Sequence, residues 1–305
     1  MLDMFNKTSK KYTFMKKIGL LILSFLFIGN ITAQESADTT KNWTLKGVAG
    51  ANMSQVSLSN WSAGGDGSIA FDLMFNYSAD YKKDRHLWQN RLELGYGLNN
   101  TTTNGTRKTN DKIYLSSMYG YKVAKQWYLS AFTTFQTQFA KGYNYDVSRD
   151  VYISRFLSPG YLSVGVGATW TPAEWFTLTL SPATWRGTFV RDDMLSDAGA
   201  FGVTPGKHLL SEFGGNAKAE VKYEFLPNMT LYSRLDLFSN YLENPQNVDV
   251  NWDIQIQMKV NKWVSANLQL NMIYDDDTKI PQKDGTSGPR LQFKELLGIG
   301  MQVTF

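Results

Sequence analysis

The chain has two histidines, His86 and His208, and no cysteine, so thiolate nucleophiles, disulfides and thiolate metal sites are excluded from the start. His208 follows a stretch with Asp192, Asp193 and Asp197 and precedes Ser211 and Glu212. An imidazole among carboxylates can activate water as a general base, and one beside a serine can activate its hydroxyl. His86 sits next to the turn-forming Asp84-Arg85, which leaves His208 as the sole plausible imidazole base. Its spacing is otherwise undiagnostic, and Asp-rich loops are ordinarily solvated. Asp275-Asp276-Asp277 clusters carboxylates, yet the Asp-x-Asp-x-Asp-Gly loop of a calcium site with its distant Glu is missing. Gly64-Gly65-Asp66-Gly67 lacks the Gly-Lys-Ser/Thr ending of a phosphate loop and reads as a hairpin. No metal or cofactor is expected.

A second set of charged residues is spaced by twos. In Val250–Val260 the residues Val, Trp, Ile, Ile, Met and Val alternate with Asn, Asp, Gln, Gln and Lys, the signature of a strand with two different faces. Residues 217–225 and 263–274 behave alike. About twelve such segments fill the chain, near 43–55, 68–81, 86–98, 111–123, 127–139, 160–171, 175–186, 214–226, 229–241, 248–260, 263–275 and 290–305. Five links between them are tight. The six that alternate with these, around 56–67, 99–110, 140–159, 187–213, 242–247 and 276–289, are longer and rich in Gly, Asn or Asp. With no helical stretch to carry a parallel crossover, neighbours must pair antiparallel.

Alternating short and long links in an even-stranded meander predict a closed, up-and-down transmembrane β-barrel over residues 43–305, with short periplasmic turns and long extracellular loops. Closure is obligatory, because an open edge in lipid leaves N–H and C=O groups unpaired. Trp88, Trp127, Trp175 and Trp263 each follow a tight turn and are expected to ring the inner membrane interface. The terminal alternation ending in Phe305 resembles the signal that such barrels present to their insertion machinery. If the apolar faces meet lipid, the lumen is lined by Arg91, Glu93, Lys112, Lys122, Lys218, Glu220, Lys222, Glu224, Arg234, Asp236, Asp253, Lys259 and Lys294. Both signs are interspersed, which suits a lumen filled by paired charges better than a pore selective for one sign.

Five lysines precede the apolar run Ile18–Ile28, and small residues follow before Gln34. This is the plan of a signal peptide over 1–33, with 34–42 a short periplasmic segment. Met15 offers a second start. The leader holds five of the 31 basic and one of the 27 acidic residues, leaving 26 of each, so the formal +4 belongs to the leader and nucleic-acid binding has no footing. A mean hydropathy of −0.31 excludes a helical membrane bundle. Aromatic content of 14% favours strands or an interface.

Asn60–Ser68, Tyr81-Lys82-Lys83, Trp88-Gln89-Asn90 and Tyr96-Gly97-Leu98 resemble the opening of a family of Bacteroidota outer-membrane proteins known only as a domain of unknown function. Ser181–Trp185 and Asp197–Val203 resemble its later blocks, so that the likeness covers most of the mature chain. The resemblance implies an outer-membrane address and supplies no activity or catalytic residues.

The expected function is a non-enzymatic structural or accessory barrel of the Gram-negative envelope with an occluded or narrow polar lumen. A small-solute channel is the alternative, and a surface hydrolase using His208 the second. Expected partners are outer-membrane lipid, the insertion machinery during assembly and envelope proteins reached through the long loops.

Overall fold

A computed structural model describes residues 42–57, 66–145, 147–276, 280–281 and 286–305. The expected signal peptide 1–33, residues 34–41, Gly64, Gly65 and Asp277 lie outside them. Period-2 alternation becomes strand throughout: β1 Trp43–Val56, β2 Ser68–Lys83, β3 His86–Thr101, β4 Gly105–Lys122, β5 Trp127–Thr137, β6 Gly142–Tyr143, β7 Tyr152–Ser154 and β8 Gly160–Ala173. There follow β9 Phe176–Phe189, β10 Leu209–Leu226, β11 Met229–Asn240, β12 Asp249–Lys259, β13 Val264–Tyr274, β14 Ile280–Pro281, β15 Ser287–Gly288 and β16 Gln292–Thr304. Twelve of these form a closed barrel in the order β1-β16-β13-β12-β11-β10-β9-β8-β5-β4-β3-β2. Each pairs antiparallel with its chain neighbours in the wall. The pairs β6–β7 and β14–β15 are small ladders in connections.

Two strands begin earlier than their alternation predicts. β4 starts at Gly105 rather than 111, and β10 at Leu209 rather than 214, so the β3–β4 link shrinks to residues 102–104. The added stretch Gly105-Thr106-Arg107-Lys108-Thr109-Asn110 has no apolar face to betray it. Ladder hydrogen bonds and β-branched threonines suffice to extend a strand where both faces are wet. A five-residue helix, α1 Asp193–Asp197, sits in the β9–β10 connection, where no helix was expected. Its sequence gave one cue, Asp192, whose side chain caps the Leu195 N–H.

Burial is inverted relative to a water-soluble protein. Among the described residues, forty large hydrophobic side chains are exposed and only ten buried. Many of the exposed set run along the outer registers of the wall, as with Leu115, Leu129, Val166, Leu297 and Ile299, the pattern of a barrel that faces hydrocarbon. Three tryptophans on this outer face place their indole N–H on a serine of the adjoining strand: Trp88 to Ser117 Oγ (2.9 Å), Trp185 to Ser211 Oγ (2.7 Å) and Trp252 to Ser233 Oγ (2.9 Å). Without water, an unanswered donor costs several kcal/mol.

The barrel closes where β1 meets β16 through five register pairs, Val48↔Thr304 to Asn52↔Gly300. Phe305 extends the seam, its N–H donating to Gly47 O at 2.9 Å and its carbonyl accepting from Gly47 N at 2.6 Å. Its ring lies over Gly47, where a Cβ would stand 2.2 Å from it. At Gly300 a Cβ would fall 2.1 Å from the Ala51 carbonyl, a backbone atom that cannot swing aside. Gly300→Ala is therefore expected to destabilise the barrel by on the order of 1–3 kcal/mol. In a gel of unboiled samples the variant should lose its compact, fast-migrating form at lower temperature than the parent.

Candidate functional site

Strands β3 and β4 stand six places from β11 and β12 in the ring of twelve, directly across the barrel. Glu93 on β3, Lys112 on β4, Arg234 on β11 and Asp253 on β12 reach inward and meet. Arg234 Nη1 donates to Glu93 Oε1 at 2.7 Å, and Nη2 to Asp253 Oδ2 at 2.5 Å. Lys112 Nζ donates to Glu93 Oε2 at 2.8 Å and lies 3.5 Å from Asp253 Oδ2. Two cations and two anions thus tie opposite walls together, and the Tyr114 ring lies 4.1 Å from the Arg234 guanidinium. Every charge has a counter-charge, which is what makes a buried ion tolerable.

The other lumen residues fall into levels. Lys218 pairs with Asp236 at 3.6 Å and stands 4.9 Å over the Phe132 ring. Lys294 donates to Asn110, whose amide in turn donates to Asp72 Oδ2, both at 3.0 Å. Gly95 and Gly97 leave room for this chain, since a Cβ there would fall 2.8 Å from Asn110 and 2.6 Å from Asp72. Arg91 lies between Asp80 and Glu220, at 3.9 and 4.0 Å. Lys222 lies over the Tyr232 ring at 5.1 Å. Lys122 and Lys259 end β4 and β12. Glu224 is spent on a turn, accepting the Asn228 N–H at 3.2 Å.

Sequence reasoning missed two features. First, the inner face is not uniformly polar: Leu87, Met118, Tyr128 and Phe132 form a buried apolar cluster. In Tyr128–Phe132 both faces are largely apolar, so alternation could not rank them. Second, Glu212 is a strand residue, locked to Arg186 of β9 by bonds of 2.7 and 2.8 Å. Arg186 also reaches Asp249 at 2.6 Å and lies 4.0 Å from the Phe238 ring. Period two along β10 places Glu212 inside once the strand start is known, whereas Arg186 is turned inward by a bulge in β9 between Ser181 and Thr184, which alternation alone does not reveal.

The loops hold their own structure. Val190, Leu195 and Val203 form a small core between β9 and β10. Asp192 is its clasp, taking Tyr152 OH and Arg155 Nη1 on Oδ2 (both 2.8 Å) and the Leu195 N–H on Oδ1 (3.1 Å). Burial alone would raise the Asp192 pKa, but the bonds from Tyr152, Arg155 and Leu195 outweigh it and hold it below the ordinary value. His208 Nδ1 donates to Val190 O at 2.7 Å, and its Nε2 lies 3.6 Å from Asp193 Oδ1. Ser211 accepts the Trp185 indole, so the two halves of a hydroxyl nucleophile are each engaged elsewhere. Asp276 takes Asn247 at 2.6 Å and Tyr274 OH at 2.8 Å. Among the described residues no group of three or more His, Asp or Glu side chains could hold a metal. Trp88, Trp127, Trp175 and Trp263 are all exposed at one end of the barrel. Trp43, which meets Trp88 at 5.8 Å, and Trp170, stacked on Trp127 at 6.1 Å, join them.

Comparison with known proteins adds little chemistry. Residues 53–143 match a family described as "Protein of unknown function (DUF3078)". That segment takes in the motifs between Asn60 and Leu98, while Ser181–Trp185 and Asp197–Val203 lie beyond it. No curated protein matches the chain. Among solved structures it is similar to the COG4313 outer membrane channel from Pseudomonas putida F1, at 12% identity over 87% of this chain and 96% of that one, with a TM-score of 0.40. The NanC porin matches at 10% identity over 85% and 99%, with a TM-score of 0.37. The translocator domain of the autotransporter NalP from Neisseria meningitidis matches at 8% over 95% and 98%, with a TM-score of 0.35. At such values nothing about this chain's activity follows from them.

Removing one member of the cross-barrel network strands the others. Arg234→Ala is expected to lower stability by about 3–5 kcal/mol, and Glu93→Gln in that background to recover part of the loss. Denaturant unfolding in lipid vesicles, run as a double-mutant cycle, measures both. The clasp titrates in the opposite sense from a base: with a lowered folded-state pKa, Asp192 stabilises the loop above the ordinary carboxyl range and ceases to as pH falls through the lowered value. Amide exchange in 190–198 should stay slow at pH 5 and quicken only below the usual carboxyl pKa of about 4. Asp192→Asn should remove that step.

Proposed function

We propose that the chain is an outer-membrane β-barrel of a Gram-negative envelope, exported by its signal peptide, that acts as a structural or accessory component with its lumen held shut. The observation that carries this reading is Arg234, which crosses from β11 to Glu93 on the opposite wall while also holding Asp253. A hydrated pore keeps its centre clear, whereas this one is spanned by charge-assisted bonds, the stronger class of hydrogen bond. The membrane address is supported by the forty exposed hydrophobic side chains and by indole donors answered within the wall. A role without catalysis is supported by His208 and Ser211, which are bonded to Val190 O and Trp185 rather than to each other. The insertion machinery and envelope proteins that meet the structured loops are its proposed partners.

Planar-bilayer recording of the purified full chain tests this against the channel alternative. The parent should show no discrete steady openings. Glu93→Ala combined with Arg234→Ala removes one charge of each sign and should produce them. Large stepwise conductance in the parent would overturn the closed-lumen reading.

A further inference from the structure

At mid-height Arg234 and Lys112 share Glu93 and Asp253, each within 4 Å of both carboxylates. Towards the end of the barrel that carries Asn42 and Phe305 the balance changes. Lys46 of β1, Arg91 of β3, Lys222 of β10 and Lys259 of β12 all fall on the inward register of their strands. They act on common neighbours. Lys222 feels both Arg91 and Lys259, opposed by Asp80, and Tyr232 feels Lys46, Arg91 and Lys259. Against these four cations stand Asp80 and Glu220, which come within 4 Å of Arg91 alone, at 3.9 and 4.0 Å, too long for a hydrogen bond, while Lys122 of β4 and Glu224 of β10, also inward at this end, cancel each other. Lys46, Lys222 and Lys259 are exposed and hold no carboxylate within 4 Å among the described residues. The vestibule therefore has a surplus of two positive charges that converge from both walls and are open to water.

Like charges held together repel, and a pocket with low-dielectric walls concentrates their field. We propose that this vestibule is a binding site for a polyvalent oxyanion of the phosphate type. Arg91 offers the fork that fits two oxygens, the three lysines supply mobile point charges, and the Tyr232 hydroxyl adds a donor. The ligand enters from the terminal-bearing end and stops below the Arg234 network, so its binding does not depend on whether that network opens. The same phosphate chemistry is carried by a free anion and by the headgroup of an acidic lipid.

Calorimetric titration of the purified full chain with sodium pyrophosphate, in zwitterionic detergent at low salt, tests the site. One saturable site is expected, weakening as salt is added. Lys222→Gln with Lys259→Gln should reduce affinity at least tenfold, and Lys46→Gln should reduce it severalfold. Lys207→Gln, on the loop at the other end, should leave it unchanged. Unboiled-gel mobility checks that each variant is folded. Repeating the titration in phosphatidylglycerol nanodiscs separates the sources: lost pyrophosphate binding identifies a lipid headgroup as occupant, and retained binding a free anion. Absence of saturable binding, or equal affinity in the parent and in both the Lys46→Gln and the double variant, would overturn the proposal, whatever the bilayer recordings show.

Discussion

The hydrogen-bonded wall is the constraint from which the rest follows. A strand set in hydrocarbon has no water to answer its N–H and C=O groups, so each strand needs a partner on both sides and the last must find the first. The ring of twelve meets that requirement at a seam of only five register pairs, lengthened by the mutual bonds of Gly47 and Phe305. Glycine at 47 and at 300 is then a matter of space, because the neighbouring ring and the neighbouring backbone occupy the positions where side chains would stand.

Closure forces a sorting of side chains, and the sorting was legible. Period-2 alternation identified the twelve wall strands, since a wall with two unlike solvents writes its two faces into alternate residues. Legibility ended where that contrast ended. Gly105–Asn110 is strand without a greasy face, and Tyr128–Phe132 is greasy on both. Within the lumen the sequence announced the interspersed signs of Glu93, Lys112, Arg234 and Asp253. It could not announce that they meet, because partners 141 residues apart become opposite only once the strand count and order are fixed.

Charge is also sorted along the axis. One level pairs Arg186 with Glu212 and Asp249. The middle level is neutral and spans the lumen. The level nearest the chain termini holds a cationic surplus that Asp80, Glu220 and Glu224 offset only in part. The lumen is thus strongly polarised along its length, and each level has its own electrostatic character within one scaffold. The loops add a further layer, a small apolar core clasped by Asp192 and packed against Leu210 of β10.

The serine hydroxyls beneath Trp88, Trp185 and Trp252 have a consequence for depth. Indoles usually settle near the headgroups because their nitrogen seeks a wet acceptor there. Here the acceptor is built into the adjoining ribbon, which frees these rings from that tether. Trp252, well inside β12, can lie far into the acyl chains, where a probe that quenches from the bilayer's centre would find it before the rings at the rim.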